Sequence, residues 1–313
     1  MAANRYELQV LLLVEVLSYV SKESCFALKG GTAINLFYRD LPRLSVDIDL
    51  TFLPIMERDQ SLAEIDAAFD RLVQRISSAL PNTSARRIAG GGGGDTRILV
   101  VRRGVEVKIE TSPVTRGTVH EPTLKSVVKS VEDKFGFAEL PIVAFEDLFG
   151  GKIHAALDRQ HPRDLFDIKL LYENEGVSDE LFRTFLVYAA SSGRPLHELL
   201  KPTLKPLEDS YRREFEGMTR SPATVTELNE ARERLLADLH SRFSEPIQRF
   251  LLSLHDGEPD FGSIGLARAA NLPAVRWKLL NLRRLASEQP DKHAEQRDAL
   301  AAVLNSTPPA PSR

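Results

Sequence analysis

Apolar and polar positions along the chain change period several times, and each change predicts an element. Between residues 5 and 21, Leu8, Leu11, Leu12, Val16 and Tyr19 or Val20 recur at three- and four-residue steps, predicting an opening helix that packs on a sheet. The short apolar run 25–29 reads as a strand, and 32–39 returns to helical spacing. From Ser45 to Phe52 the residues alternate strictly. Ser45, Asp47, Asp49 and Thr51 lie on one side and Val46, Ile48, Leu50 and Phe52 on the other, the period of a half-buried strand. Residues 61–80 form an amphipathic pattern through Leu62, Ile65, Phe69, Leu72, Val73 and Ile76, a helix suited to cover one sheet face. Strands are predicted at 84–88, 96–102 and 105–111.

After Ser112-Pro113 the pattern loosens through residue 140, and Leu140-Pro-Ile-Val-Ala-Phe reads as an extended lead into a helix. Helical spacing then dominates, at 163–175, 179–190, 204–216, 224–254 and 273–288. The Gly90–Gly94 run reads as a flexible surface connection and the tail 306–313 as disordered. The predicted fold class is α/β (α+β) and bilobed. An N-terminal mixed sheet with helices occupies 1–140, and an all-helical C-terminal lobe occupies 141–313.

A chain of 313 residues exceeds one usual core, consistent with two lobes. Its 27% charged and 42% hydrophobic residues are ordinary for a globular protein, and a net charge of −3 means that any nucleic-acid contact must come from local basic patches. Candidates are Arg86-Arg87, Arg102-Arg103, Arg212-Arg213 and Arg283-Arg284, with Trp277-Lys278 nearby. The single cysteine, Cys25, excludes an internal disulfide and fits a reducing compartment as a small apolar residue of the first strand. The N-terminus lacks a signal-peptide layout, and the apolar run 8–20 is too short for a membrane and carries Glu15. A cytoplasmic location is expected. Seven scattered histidines show no zinc-ligand spacing.

Two constellations carry chemistry. Asp47 and Asp49 share a strand face at roughly 6–7 Å between Cα atoms, where their charges repel unless a cation or basic group sits between them. Oxygen ligands of this kind suit Mg²⁺ (or Mn²⁺). Upstream, Gly30-Gly31-Thr32 lies between a strand and a helix, where paired glycines let the backbone approach an anion and a helix start offers N–H groups. Arg43 sits at the mouth of the carboxylate strand. On the strand 105–111, Glu106, Lys108 and Glu110 share a face, which is a solvated Glu–Lys face or the source of a third acid.

The second constellation runs from Phe145 to Leu171. Lys152 and Arg159 share a face of one helix, Asp164 and Asp167 a face of the next, and Gln160-His-Pro folds the two together. Without the first constellation it would read as an ordinary helical hairpin laced by surface ion pairs.

Gly30-Gly31-Thr32, Arg43 and Ser45-Val-Asp47-Ile-Asp49 resemble the first motif of the nucleotidyltransferase superfamily. The longer pattern is similar to the AbiEii/AbiGii toxin family, which includes the MenT toxins. The resemblance covers roughly 25–52 and 140–172. It implies a type IV toxin–antitoxin toxin with a nucleotidyltransferase-type sheet, transferring NMP from an NTP to a hydroxyl, with tRNA 3′ ends as acceptor and an AbiEi-like antitoxin as partner. Carried onto this chain, it implies nucleotide binding by Gly30, Gly31, Thr32, Arg43, Ser45 and Lys152. Metal ligation falls to Asp47, Asp49 and Glu110, with Glu106 the second candidate for the third acid. Lys152 grips the triphosphate, and Asp167 either activates the acceptor or holds Lys152. Arg163 and Asp164 support them, and the active site is expected between the lobes. A small-molecule or protein hydroxyl as acceptor, or a non-catalytic nucleotide-binding module, are the alternatives.

Overall fold

The computed structural model describes residues 2–89 and 96–306. The Gly90–Gly94 connection and the tail beyond Ser306 therefore lie outside the described residues. The chain forms two compact units, Met1–Ala144 and Phe145–Arg313.

The first unit opens with α1 (Ala2–Val20), β1 (Phe26–Lys29) and α2 (Gly30–Ala33), which widens into a π-helical turn, Ile34–Tyr38. Next come β2 (Asp47–Phe52), α3 (Arg58–Ala79), β3 (Thr83–Ile88), β4 (Arg97–Arg102) and β5 (Val105–Thr111). The unit closes with β6 (Thr123–Ser126), α4 (Lys129–Phe135) and β7 (Glu139–Ile142). The strands make one seven-stranded sheet in the order β3-β4-β5-β2-β1-β7-β6. It is mixed: β2 runs antiparallel to β1 and parallel to β5, and β7 runs parallel to β1.

Alternation decides which way the sheet faces. Phe26, Leu28, Ile48, Leu50, Phe52, Ile98, Val100, Val107 and Ile109 are all at most 2% exposed. α3 packs here, its Phe69 ring 5.6 Å from Phe26, which in turn lies 6.0 Å from Phe52. Removing this apolar surface from water supplies the main driving force for the unit. The β4–β5 hairpin turns through Arg103 and Gly104, both at positive φ (51° and 79°), as a two-residue turn that matches strand twist requires. Cys25 falls just before β1 rather than within it, and burial pushes its thiol up to about 11, which disfavours the thiolate.

The region 113–140, read as loose, holds β6, α4 and the start of β7. These four-residue strands are too short for a period to show in sequence, and they form because β6 pairs with β7 and β7 with β1.

The second unit is helical: α5 (Phe145–Arg159), α6 (Pro162–Asn174), α7 (Asp179–Ala190), α8 (Leu196–Leu200), α9 (Glu208–Glu214), α10 (Val225–Ser241), α11 (Glu245–His255), α12 (Pro273–Glu288) and α13 (Pro290–Leu304). The expected single helix 224–254 is two. α10 starts at a Thr224–Glu227 capping box, and α11 starts afresh with Pro246 in its first turn, where no N–H is needed. Gly150 lets α5 approach α7 closely, since a Cβ there would stand 3.2 Å from the Phe185 backbone nitrogen.

Lys278 on α12 is 8% exposed and donates to the Arg194 carbonyl at 2.8 Å. Burial lowers its ammonium from 10.5 to about 8. The folded state therefore disfavours the charged form, so stability should fall as pH drops from about 10.5 to about 8 and level off below. Urea unfolding across that window should show this slope in the wild type and a flatter one in Lys278→Met. Equal slopes would show that Lys278 titrates normally.

Candidate active site

Thr32, Asn35 and Arg43 build the first cluster around the Gly30-Gly31 turn. Gly30 adopts φ +74°, and a Cβ there would stand 2.3 Å from Asp49 Oδ2. A Cβ on Gly31 would meet Arg43 Nη2 at 2.6 Å and Ser45 Oγ at 2.8 Å. Gly30 is thus required by its positive φ and the approach of Asp49, and Gly31 leaves room for the Arg43 guanidinium and the Ser45 hydroxyl. Thr32 Oγ1 donates to the Asp47 carbonyl at 2.6 Å and lies 3.1 Å from Ser45 Oγ, which ties the helix start to the carboxylate strand. Ser45 stands outside the β2 ladder, bound to this turn.

Asn35, fully buried, donates to the Gly31 carbonyl at 2.7 Å and accepts from the Arg43 backbone N–H at 3.3 Å. It staples the turn to the arginine loop. The π-helical turn that contains it is a recurrent feature of functional sites.

Strand pairing sets the charges. Asp47 is exposed and Asp49 half-buried on the face opposite the core. Cross-strand register places Asp49 between Lys29 of β1 and Glu110 of β5, and Asp47 beside Lys108. Glu110 stands opposite Arg97 of β4 and pairs with it at 2.7 Å. Burial pulls the Lys29 ammonium below the ordinary lysine value, while Asp49 and Glu110 oppose that shift. Lys29, Asp49, Arg97, Glu110, Thr96 and Ser112 line one cavity of about 250 Å³.

Glu106, the other candidate third acid, lies four residues back along β5 opposite Val101, away from Asp49. Among the described residues no three His, Cys, Asp or Glu side chains converge to hold a metal ion. Asp47 and Asp49 nonetheless fit one. They are two oxygen donors on the strand that adjoins the Gly30-Gly31 turn, and Mg²⁺ normally takes one or two carboxylates plus substrate phosphates.

The second cluster lies in the helical unit. Lys152 Nζ reaches Asp164 Oδ1 and Asp167 Oδ2, each at 2.9 Å, and Arg159 reaches the other Asp164 oxygen at 2.8 Å. Lys152, Asp164 and Asp167 are 7%, 3% and 0% exposed, so this is a buried charge network rather than a laced surface. Gln160, at φ +53°, makes the break between α5 and α6, and its buried amide accepts from Arg232 at 2.8 Å. Arg163 lies outside the network, 4.0 Å from Glu214.

The basic pairs are largely committed. Arg87 binds Asp66 and Asp70, Arg102 binds Glu15, Arg212 binds Asp209, Arg284 binds Glu288, and Arg283 donates to the Gly257 carbonyl. Lys278 is buried, whereas Trp277 beside it is 57% exposed. The sequence reading missed Lys29, Asn35 and Arg97. Lys29 shares a strand side with Ala27, but only pairing with β2 sets it beside Asp49.

A glycine turn that opens a helix against a strand with two outward carboxylates defines a class, the nucleotidyltransferases. The family model described as nucleotidyl transferase AbiEii toxin, type IV TA system, matches residues 11–281, and the chain belongs to that family. It is accordingly a nucleotidyltransferase of the toxin half of a toxin–antitoxin pair, which implies a cognate antitoxin. Among solved structures it is similar to MenT4, a nucleotidyltransferase toxin from Mycobacterium tuberculosis H37Rv. The TM-score is 0.60 at 15% identity, over 89% of this chain and 92% of that one. No curated protein sequence matches it. Among the described residues no helix is long and apolar enough to cross a membrane.

Asn35→Ala strands the buried Arg43 N–H, so unfolding should cost about 1–3 kcal/mol less and the KM for NTP should rise. An unchanged KM would show that Arg43 is held without Asn35. Lys152→Ala removes the cation that Asp164 and Asp167 share and should destabilise the protein by about 3–5 kcal/mol in urea unfolding. A loss below about 1 kcal/mol would mean that water already compensates those carboxylates.

Proposed function

We propose that this protein transfers a nucleoside monophosphate from an NTP to the 3′ end of tRNA, blocking translation and growth, with Mg²⁺ (or Mn²⁺) held by Asp47 and Asp49. The observation that carries this is the packing of Asp49, Arg43 and Ser45 directly on Gly30 and Gly31, so that carboxylate, guanidinium, hydroxyl and bare backbone converge at one place. A cation bound there supplies charge neutralisation for the reacting phosphates. Gly30, Gly31, Thr32, Arg43 and Ser45 cradle phosphate oxygens, whereas Lys152, paired with Asp164 and Asp167 inside the second unit, has its charge balanced there. The acceptor hydroxyl attacks the α-phosphorus with loss of its proton, the new O–P bond forms, and pyrophosphate leaves. The residues contribute chiefly by positioning and charge stabilisation.

Of the two roles considered for Asp167, its 2.9 Å contact and complete burial support holding Lys152 in place. The tRNA acceptor follows from the sequence resemblance. Arg86 and Arg103, both exposed near the β3–β4 end of the sheet, are basic residues available to a phosphate backbone. An AbiEi-like antitoxin is the proposed protein partner.

The test is incubation of wild type and Asp47→Ala with Mg²⁺, total tRNA and each α-³²P NTP in turn. Asp47 is exposed, so its removal should leave folding intact and abolish labelling. Label on tRNA from wild type alone supports the reading. Label on protein, or equal labelling by the variant, overturns it.

A further inference from the structure

The carboxylate face is not an open acidic site of the kind that collects free divalent cations. On four adjacent strands the charges stand in a row: Lys29 on β1, Asp49 on β2, Glu110 on β5 and Arg97 on β4. Asp47 adds a third carboxylate, with Lys108 of β5 beside it, and Arg43, 4% exposed, packs on Gly31 next to Ser45. Three acids, Asp47, Asp49 and Glu110, thus stand on the sheet beside three bases, Lys29, Arg97 and Lys108, with a fourth, Arg43, against the adjoining Gly31. Glu110 is already held by Arg97 at 2.7 Å.

We infer that this site takes its divalent cation only together with the nucleotide, because Lys29 and Arg97 compensate the acids that would otherwise bind the ion alone. The inference rests on the nucleotidyltransferase reading above. A lone divalent cation enters a field with no net negative charge and must compete with Lys29 for Asp49 and with Arg97 for Glu110. A triphosphate is drawn in by the same four bases, and its oxygens complete the coordination shell that two carboxylates leave open. Binding of cation and of nucleotide are then coupled, each raising the affinity of the other by the same factor. Lys29 and Arg97 are positioning residues in this scheme, acting through Asp49 and Glu110.

Mn²⁺ serves as the probe, its loss from solution followed by electron paramagnetic resonance on the full chain without nucleotide. A calorimetric titration with a non-hydrolysable NTP analogue, in EDTA and in Mn²⁺, gives the other limb. Wild type should bind the analogue even in EDTA and take up Mn²⁺ alone only weakly. Arg97→Gln should tighten nucleotide-free Mn²⁺ binding by about tenfold or more, Lys29→Gln should shift it the same way, and adding Glu110→Gln to Arg97→Gln should cancel the gain. If wild type binds Mn²⁺ alone as tightly as Arg97→Gln while the analogue still binds, the compensation is wrong and the nucleotide site stands. If neither Mn²⁺ nor the analogue binds wild type under any condition, the nucleotide-site reading fails and this inference with it.

Discussion

The site depends on the register of one central strand. β2 is flanked by β1 on one side and β5 on the other, and its core residues Ile48, Leu50 and Phe52 are fully buried. A slip of one residue would turn those three outward and bury Asp47 and Asp49, so the hydrophobic pattern that fixes the sheet also fixes where the carboxylates point. The same register sets Lys29 and Glu110 on either side of Asp49. Core packing and active-site electrostatics therefore share one geometric constraint.

Around that strand the chain uses small residues and short polar ones to bring strong groups close. Gly30 and Gly31 remove the Cβ atoms that would collide with Asp49, Arg43 and Ser45, and Thr32 and Asn35 tie the loop to the strand by hydrogen bonds. Ser45, Gly31 and Arg43 are each bonded to a fully buried side chain, Thr32 or Asn35, which holds them in place. The helical unit uses a different device. Lys152 is neutralised by two aspartates inside a packed hairpin, so its position is set by charge pairing in low dielectric rather than by apolar contact.

Much of this was legible in the amino-acid order. The alternation of 45–52, the glycine pair, and the spacing of Lys152, Arg159, Asp164 and Asp167 all show in sequence because strand and helix periods are local properties. β6 and α4 did not show, and β7 showed only as the extended stretch from Leu140; β6 has four residues, too few for a period, and forms by pairing with β7, which in turn pairs with β1 far along the chain. The basic pairs looked like an RNA surface because sequence reports a charge but not its partner; Glu15, Asp66, Asp70, Asp209, Glu288 and the Gly257 carbonyl claim most of them.

The sequence by itself determined which residues could carry the chemistry: two outward carboxylates, a glycine turn, and a lysine and aspartates on facing helices. Periodicity and side-chain chemistry suffice for that. Only the tertiary structure decided how they are electrically balanced. Lys29 meets Asp49, Arg97 meets Glu110 and Asn35 bridges Gly31 to Arg43 through strand register and loop closure, and register depends on pairing between distant segments, as of Asp49 with Glu110.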